Sequence, residues 1–130
     1  MAYLVDTNIV IHARDGTAAV LEKFAAHDGA IQLSALCLAE LERGARKAGP
    51  EAELRRARLE VLLPRIPVVP FDSEAARAYG RIIAQCGWTK GRDFDRMIAG
   101  HALSTRSILV TDNVGDFADI PGLAIENWAT

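Results

Sequence analysis

The amino-acid sequence predicts one α/β domain, a three-layer α/β/α sandwich with a short central parallel sheet, over residues 1–130. Short apolar runs alternate with segments of helical periodicity along the whole chain. Two of these runs end in the polar residues that are typical of the carboxyl ends of parallel strands. With 130 residues, half of them hydrophobic, the chain is long enough for one core.

The first strand is predicted at 2–5, and a helix starts behind it. Asp6 ends the strand, and ligands of open α/β sheets bind at this edge. The simpler interpretation is that Asp6 or Asn8 only caps this helix, since Asp and Asn are both preferred helix caps. Both roles are compatible if Asn8 caps the helix while Asp6 faces the cleft.

The remaining elements follow from periodicity and from capping and breaking residues. Ser34 is predicted to cap a helix, Pro50 to lie in the first turn of another, and Asp72 or Ser73 to cap a third. Pro67 and Pro70 restrict the third strand to a short or edge position. The predicted helices are 17–27, 35–47, 50–63, 74–86 and 94–105, and the predicted strands are 31–33, 66–71, 108–110 and 123–125.

Composition excludes several classes of protein. The apolar runs are too short for a membrane span, and no basic region precedes the first of them, as a signal peptide would require. We therefore expect a cytoplasmic protein that does not contact membranes. Cys37 and Cys86 are isolated in helix-like segments, so we interpret them as buried free thiols. The net charge of −2 argues against a bulk polyanion binder.

Basic residues concentrate in the helical pair predicted between 35 and 63. They could form an ordinary solvated helix face, or they could contact phosphate or an acidic partner. From Arg43 to Arg65, within this pair and just after it, there are seven basic residues: Arg43, Arg46, Lys47, Arg55, Arg56, Arg58 and Arg65.

Carboxylates recur where the predicted fold would bring them to one sheet edge. Each has a simpler explanation: Asp95 can complement a helix dipole, and Glu40 can pair with Arg43. Two carboxylates about 4 Å apart repel by roughly 4 kcal/mol at an effective dielectric of 20, so such a cluster needs a cation. Oxygen ligands suit Mg²⁺ or Mn²⁺, which can activate water against a phosphodiester. Glu42 lies about 200° around the helix from Glu40 and is predicted to be surface.

Seven segments carry a resemblance to a known family: 4–8, 34–45, 94–102, 110–113, 116–117, 121–123 and 126–128. In this order and at this spacing they resemble PIN-domain ribonucleases, and within them the VapC-type toxins of bacterial type II toxin–antitoxin pairs. The resemblance spans nearly the whole chain, and its specificity lies in the order and spacing of the segments.

The resemblance implies cleavage of RNA, such as tRNA or another structured RNA, with Mg²⁺ or Mn²⁺. It places Asp6, Glu40 and Asp95 on the three main acidic positions of the family. We expect Asp116 to be the fourth, with Asp112 behind it, because the family's usual position holds an asparagine here. Asp93 is a competitor of Asp95. The expected supporting residues are Thr7, Asn8, Thr111 and Asn113.

The resemblance also implies partners. In relatives, helices at the place of the inserted pair form part of a groove for a VapB-type antitoxin, and the toxin dimerises. We expect a homodimer that forms a heterotetramer or larger assembly with the antitoxin. Arg43, Arg46 and Lys47 then become candidates for contacts with RNA phosphate or with an acidic antitoxin segment.

Three other functions remain as alternatives. One is a phosphotransfer enzyme, but a haloacid-dehalogenase-type phosphatase would need a second Asp where Asn8 stands, and no Gly-rich phosphate loop is present. The others are an RNA-processing PIN nuclease without an antitoxin and a non-catalytic PIN-like module that binds RNA or protein. His12, His27 and His101 are predicted to be structural.

Overall fold

A computed structural model describes all residues, 1–130, as a five-stranded parallel sheet with helices on both faces. Every strand pair is parallel, and the strand order is β3-β2-β1-β4-β5. The predicted α/β fold class is confirmed. The strands are β1 Tyr3–Val5, β2 Ile31–Ser34, β3 Val68–Val69, β4 Ile108–Val110 and β5 Ile125–Glu126.

Six α-helices and two short 3₁₀ helices cover the sheet. The first four helices connect β1 to β2 and β2 to β3, which follow one another toward one edge of the sheet. The last two helices connect β3 to β4, on the other side of β1. Right-handed crossovers therefore place α1–α4 on one face and α5–α6 on the other. The α-helices are α1 Thr7–Arg14, α2 Ala18–Ala26, α3 Ala35–Ala45, α4 Ala52–Leu62, α5 Ser73–Cys86 and α6 Asp93–Ser104, and the 3₁₀ helices are Leu63–Arg65 and Val114–Asp116.

The core is continuous across the sheet, and 22 buried residues form it. Leu4 and Val5 of the central strand β1 are fully buried, as expected for a parallel strand covered on both faces. Phe117 and Trp128, after β4 and β5, are the largest buried side chains. The residues that follow β1 and β4 are therefore attached to strands packed into the core.

Several predicted boundaries were wrong by a few residues. Pro50 lies before α4 and outside its first turn, because Glu51 adopts a left-handed conformation (φ 65°) and the helix begins only at Ala52. The third strand shrinks to Val68–Val69 between the two prolines and lies at the sheet edge, as the sequence predicts. The last strand is Ile125–Glu126, later than predicted, because a turn with Gly122 at positive φ precedes it.

The cysteines differ from each other in burial. Cys37 is fully buried in α3 and unpaired, as predicted. Cys86, at the end of α5, is only half-buried, so the prediction of a buried thiol was wrong there. Among the helices, none has both the length and the apolar content required to cross a bilayer.

Candidate active site

Asp6 lies at the carboxyl end of the central strand and is 8% exposed. Its Oδ1 accepts a hydrogen bond from the Thr7 backbone N–H at 2.7 Å, and its Oδ2 accepts one from the Thr111 hydroxyl at 3.0 Å. Asp6 is therefore the N-cap of α1. Of the two caps that the sequence allowed, Asp6 and Asn8, the helix uses Asp6, so this one residue both caps the helix and belongs to the acidic cluster.

Burial raises the pKa of Asp6 to about 6. The hydrogen bonds from Thr7 and Thr111 lower this pKa, and the negative charges of Asp95 and Glu40 raise it. Both of these acids therefore lie close enough to Asp6 to act on its charge. The sheet edge thus holds a carboxylate whose ionised form is disfavoured, as expected where a cation is to be bound.

Glu40 reaches the cluster from α3, whose N-terminus is capped by the Ser34 hydroxyl at 3.1 Å from the Leu36 N–H. Glu40 Oε1 accepts a hydrogen bond from the Thr7 hydroxyl at 2.6 Å. Its Oε2 lies 3.8 Å from the exposed Arg43 guanidinium, so the simpler expectation of a helical ion pair also holds. Glu42 is exposed and pairs with Arg46 at 3.3 Å, in agreement with its predicted surface position.

Asp95 lies in the first turn of α6. Burial raises its pKa above the ordinary value, the charges of Asp116 and Glu40 raise it further, and Arg92 lowers it. Asp93 is engaged elsewhere, because its carboxylate accepts a hydrogen bond from the Tyr79 hydroxyl of α5. The expected competition between Asp93 and Asp95 therefore has no support in this geometry.

The loop after β4 supplies the last acidic residues. Asp116 is exposed, and its backbone carbonyl accepts a hydrogen bond from Arg92 at 2.9 Å. Asp112 turns toward α1 instead, where its carboxylate contacts Asn8 at 3.4 Å and His12 at 3.1 Å. Between them, the Asn113 N–H donates to the Thr111 hydroxyl oxygen at 3.1 Å. This network fixes Thr111 against Asp6.

The donor set suits a hydrated hard cation. No three acidic, histidine or cysteine side chains are arranged closely enough to enclose a metal ion by themselves. Four carboxylates nevertheless influence one another: the charges of Glu40 and Asp95 raise the pKa of Asp6, and those of Glu40 and Asp116 raise the pKa of Asp95. Mg²⁺ usually keeps several waters and takes one or two carboxylates from the protein. A hydrated Mg²⁺ ion therefore fits carboxylates that stand apart from one another, whereas a structural metal enclosed by protein ligands does not fit them.

Comparison with known proteins decides the family. The family model described as "PIN domain" matches residues 3–123. The chain belongs to the PIN-domain family. Within this family it is similar to the tRNA(fMet)-specific endonuclease VapC of Shigella flexneri, with 38% identity over 134 positions and 99% of each chain covered. It is also similar to ribonuclease VapC2 of Rickettsia felis, with 33% identity and 98% coverage of each chain.

The fold agrees with solved members of the PIN-domain family. The crystal structure of DNA-bound VapBC from Salmonella typhimurium superposes with a TM-score of 0.87, at 32% identity and with 98% of each chain covered. The predicted resemblance to VapC-type PIN domains is thereby confirmed.

The basic residues predicted as contacts lie at the carboxyl end of α3, where Arg43 adjoins the acidic cluster of the PIN domain through Glu40. Arg43, Arg46 and Lys47 are exposed at the carboxyl end of α3. Arg43 and Arg46 form ion pairs with Glu40 and Glu42 on their own helix. They can reach a bound macromolecule only after giving up these weak surface pairs, which are worth about 0–1 kcal/mol each.

All three histidines of this PIN domain, predicted to be structural, make hydrogen bonds or ring contacts within the fold. His27 stacks on Trp128 with ring centroids 5.3 Å apart, and His101 is buried with Nδ1 2.9 Å from the Ser34 hydroxyl, so both are structural as predicted. His12 instead contacts Asp112 at the rim of the acidic cluster. The spacing of Asn8 and His12, one helical turn apart, is the signal that could have indicated their common partner.

Proposed function

We propose that this protein is a metal-dependent endoribonuclease that acts as the toxin of a type II toxin–antitoxin pair. The observation that carries the proposal is that Thr7 and Thr111 hold Asp6 and Glu40 together at the carboxyl edge of the sheet, where their charges act with those of Asp95 and Asp116, in a chain so similar to VapC ribonucleases. The retained acidic set argues against a non-catalytic module. The similarity of solved VapBC complexes over the full chain argues for an antitoxin partner rather than for a free processing nuclease.

Four residues would hold the metal, directly or through its bound waters: Asp6, Glu40, Asp95 and Asp116. When bound, Mg²⁺ or Mn²⁺ supplies a water of lowered pKa as nucleophile and neutralises charge that develops on the phosphodiester. The threonines keep the carboxylates oriented, since Thr7 donates its hydroxyl proton to Glu40 and Thr111 donates its own to Asp6. Such supporting hydrogen bonds usually affect metal affinity strongly.

A tRNA is the substrate that we propose. The Shigella flexneri relative and one from Salmonella typhimurium, 34% identical, are both named tRNA(fMet)-specific endonucleases. RNA phosphates are bound by basic side chains, and Arg43, Arg46 and Lys47 at the end of α3 are available for phosphate or antitoxin contacts.

An antitoxin helix would occupy a groove of about 480 Å³ between α1 and α4. Val61, which is 73% exposed, lies in this groove with three arginines and one acid: Asp15 pairs with Arg14 at 2.9 Å, and Arg58 and Arg65 are the other two arginines. A second depression beside α2 shares Leu62 and Arg65 with it, so the groove continues along the helical layer. An amphipathic helix with acidic residues beside its apolar face would match this lining. We further propose a homodimer that binds antitoxin as a heterotetramer or larger assembly.

Substitution of the acidic set tests the nuclease proposal. We expect Asp6→Asn and Asp95→Asn each to fold and to lose tRNA cleavage by at least about a hundredfold, because each removes a metal-binding charge. Cleavage by the unsubstituted protein should require added Mg²⁺ or Mn²⁺ and stop with EDTA. Circular dichroism would verify the fold of each variant.

Glu42→Gln is the matched control, because Glu42 is on the same helix as Glu40 but is exposed and paired with Arg46. It should keep most of the activity. Full metal-dependent cleavage by Asp6→Asn or Asp95→Asn would overturn the assignment of these residues.

A further inference from the structure

The loop between α5 and α6 carries the most exposed aromatic ring of the protein. Trp88 is 60% exposed, whereas the other tryptophan, Trp128, is 1% exposed. An indole ring buries a large apolar area when it binds a partner. The exposed ring of Trp88 is therefore a candidate contact for a molecule that the free protein does not hold.

The loop is held beside the acidic cluster. The Arg92 N–H donates to the Thr89 carbonyl at 3.1 Å and closes a tight turn, in which Gly91 adopts φ 86°. The Arg92 guanidinium donates to the backbone carbonyl of Asp116 at 2.9 Å, and its charge lowers the pKa of Asp95. Trp88 stands immediately before this turn, four residues ahead of Arg92, which anchors the loop to Asp116.

The positive charge of the loop favours a nucleic acid, rather than a basic or neutral surface, as the partner that contacts Trp88. Residues 87–92 include two basic side chains, Lys90 and Arg92, and no acidic one. An aromatic ring next to basic side chains is how proteins hold unpaired nucleotides, because the ring stacks on a base while the cations contact the backbone. A base in a duplex already has stacking partners on both sides, so the ring selects an unpaired one.

We propose that Trp88 stacks on an unpaired base of the RNA substrate, with Lys90 on the adjoining phosphate, and so holds the strand across the acidic cluster. This inference rests on the proposed nuclease function and adds to it a residue that selects unpaired substrate. The contact exists in both the ground state and the transition state, so its loss affects substrate binding rather than the chemical step.

Kinetics with the full-length protein and a tRNA substrate tests the role. Trp88→Ala should raise KM about ten- to a hundredfold with little change in kcat, on the usual strength of one base–aromatic stack. Trp88→Phe should restore most of the affinity, because phenylalanine also offers a ring face. Leu54→Ala is the matched control, since it truncates an exposed apolar side chain of α4 that lines neither the acidic cluster nor the α1–α4 groove, and it should leave KM unchanged.

Fluorescence tests the contact itself. In EDTA, which prevents cleavage, a short single-stranded RNA should quench the emission of Trp88, and the same RNA annealed to its complement should quench it much less. In Trp88→Phe, the remaining emission comes from the buried Trp128 and should not respond. An unchanged KM in Trp88→Ala, or equal quenching in Trp88→Phe, would overturn the inference.

The two proposals fail in distinguishable ways. If the unsubstituted protein cleaves tRNA with metal while Trp88→Ala behaves identically, the nuclease proposal stands and the stacking role is wrong. Weaker antitoxin binding by Trp88→Ala with an unchanged KM would also overturn the stacking role and assign the ring to the protein partner. Absence of cleavage and of RNA binding by the unsubstituted protein would overturn both.

Discussion

At the scale of single residues, Asp6 shows a conflict between stability and the proposed function. Its carboxylate is buried beside two other acids, and its pKa is raised to about 6. The folded protein therefore binds this proton more tightly than the unfolded chain does. The stability contribution of Asp6 must fall as pH rises from about 4 to 6, and the unfavourable term is fully present above pH 6.

Removing this charge should stabilise the metal-free protein. The rise in pKa from 3.8 to about 6 corresponds to roughly 3 kcal/mol, and the altered hydrogen bond with Thr111 offsets about 1 kcal/mol of it. We expect Asp6→Asn in EDTA at pH 7.5 to increase the free energy of unfolding by about 1–2 kcal/mol. Urea denaturation at pH 7.5 and at pH 4 measures the change.

The pH dependence distinguishes this cause from a general effect of the substitution. At pH 4 the folded protein already carries a protonated Asp6, so the gain of Asp6→Asn should disappear there. Glu42→Gln serves as the control, because that carboxylate is exposed. A gain of equal size at both pH values would show that the charge of Asp6 is not its source.

The sequence indicates the main acids but not the contacts around them. Asp6 and Asp95 could be predicted because they follow a strand and open a helix, positions that the topology brings to one edge. The pairing of Asp93 with Tyr79 and of His12 with Asp112 depends on how side chains meet across elements. The latter two are 100 residues apart in the chain, and no local pattern connects them.

At the scale of elements, the close contact of α5 with α6 positions Asp95. Gly100 of α6 lies against the backbone of α5, and a Cβ atom there would be 2.7 Å from the Tyr79 nitrogen and 3.0 Å from its Cα. Backbone atoms cannot rotate away as a flexible side chain can. The two helices approach this closely only because position 100 has no side chain.

Gly100→Ala should therefore separate the two helices. We expect it to lower the free energy of unfolding by about 1–3 kcal/mol, the usual effect of overpacking, and to lower nuclease activity by moving Asp95. Gly80→Ala is the matched control: Gly80 lies in α5, and a Cβ atom added there would have no other atom within 4 Å. It should stabilise the protein by up to about 1 kcal/mol through helix propensity. Thermal unfolding followed by circular dichroism measures both.

Elements were predicted better than their ends. Alternating periodicity identifies the strands and the helices, and the two prolines identify the third strand as an edge strand. The start of α4 could not be predicted, because it depends on the left-handed conformation of Glu51, a residue type with no preference for it. Boundaries of this kind are set by tertiary contacts and loop closure.

At the scale of the whole molecule, the two proposed surfaces are separate. The acidic cluster lies at the carboxyl edge of the sheet, while the groove between α1 and α4 is lined by residues such as Val61 and Arg58. An antitoxin can therefore be held by the groove and still extend a basic side chain toward the acids. Binding and inhibition should be separable by substitution.

The last prediction follows from this separation. Expression of the chain alone should arrest bacterial growth through RNA cleavage, and co-expression of the small protein encoded by the neighbouring reading frame should relieve the arrest by forming a complex. Val61→Asp puts an acid into the apolar part of the groove, so it should keep nuclease activity but lose the antitoxin and remain toxic under co-expression. Ala76→Asp, the same kind of change at an exposed position of α5, should remain suppressible.

Growth curves, pull-down of the complex and tRNA cleavage by the purified variants give the three readouts. Asp6→Asn should be harmless in every strain, which ties the arrest to the acidic cluster. If Val61→Asp is suppressed as well as the unsubstituted chain, the groove is not where the antitoxin binds. If active, folded protein accumulates harmlessly with no partner bound, the toxin proposal is wrong. The nuclease proposal would then still stand, because it rests on the carboxylates and not on the groove.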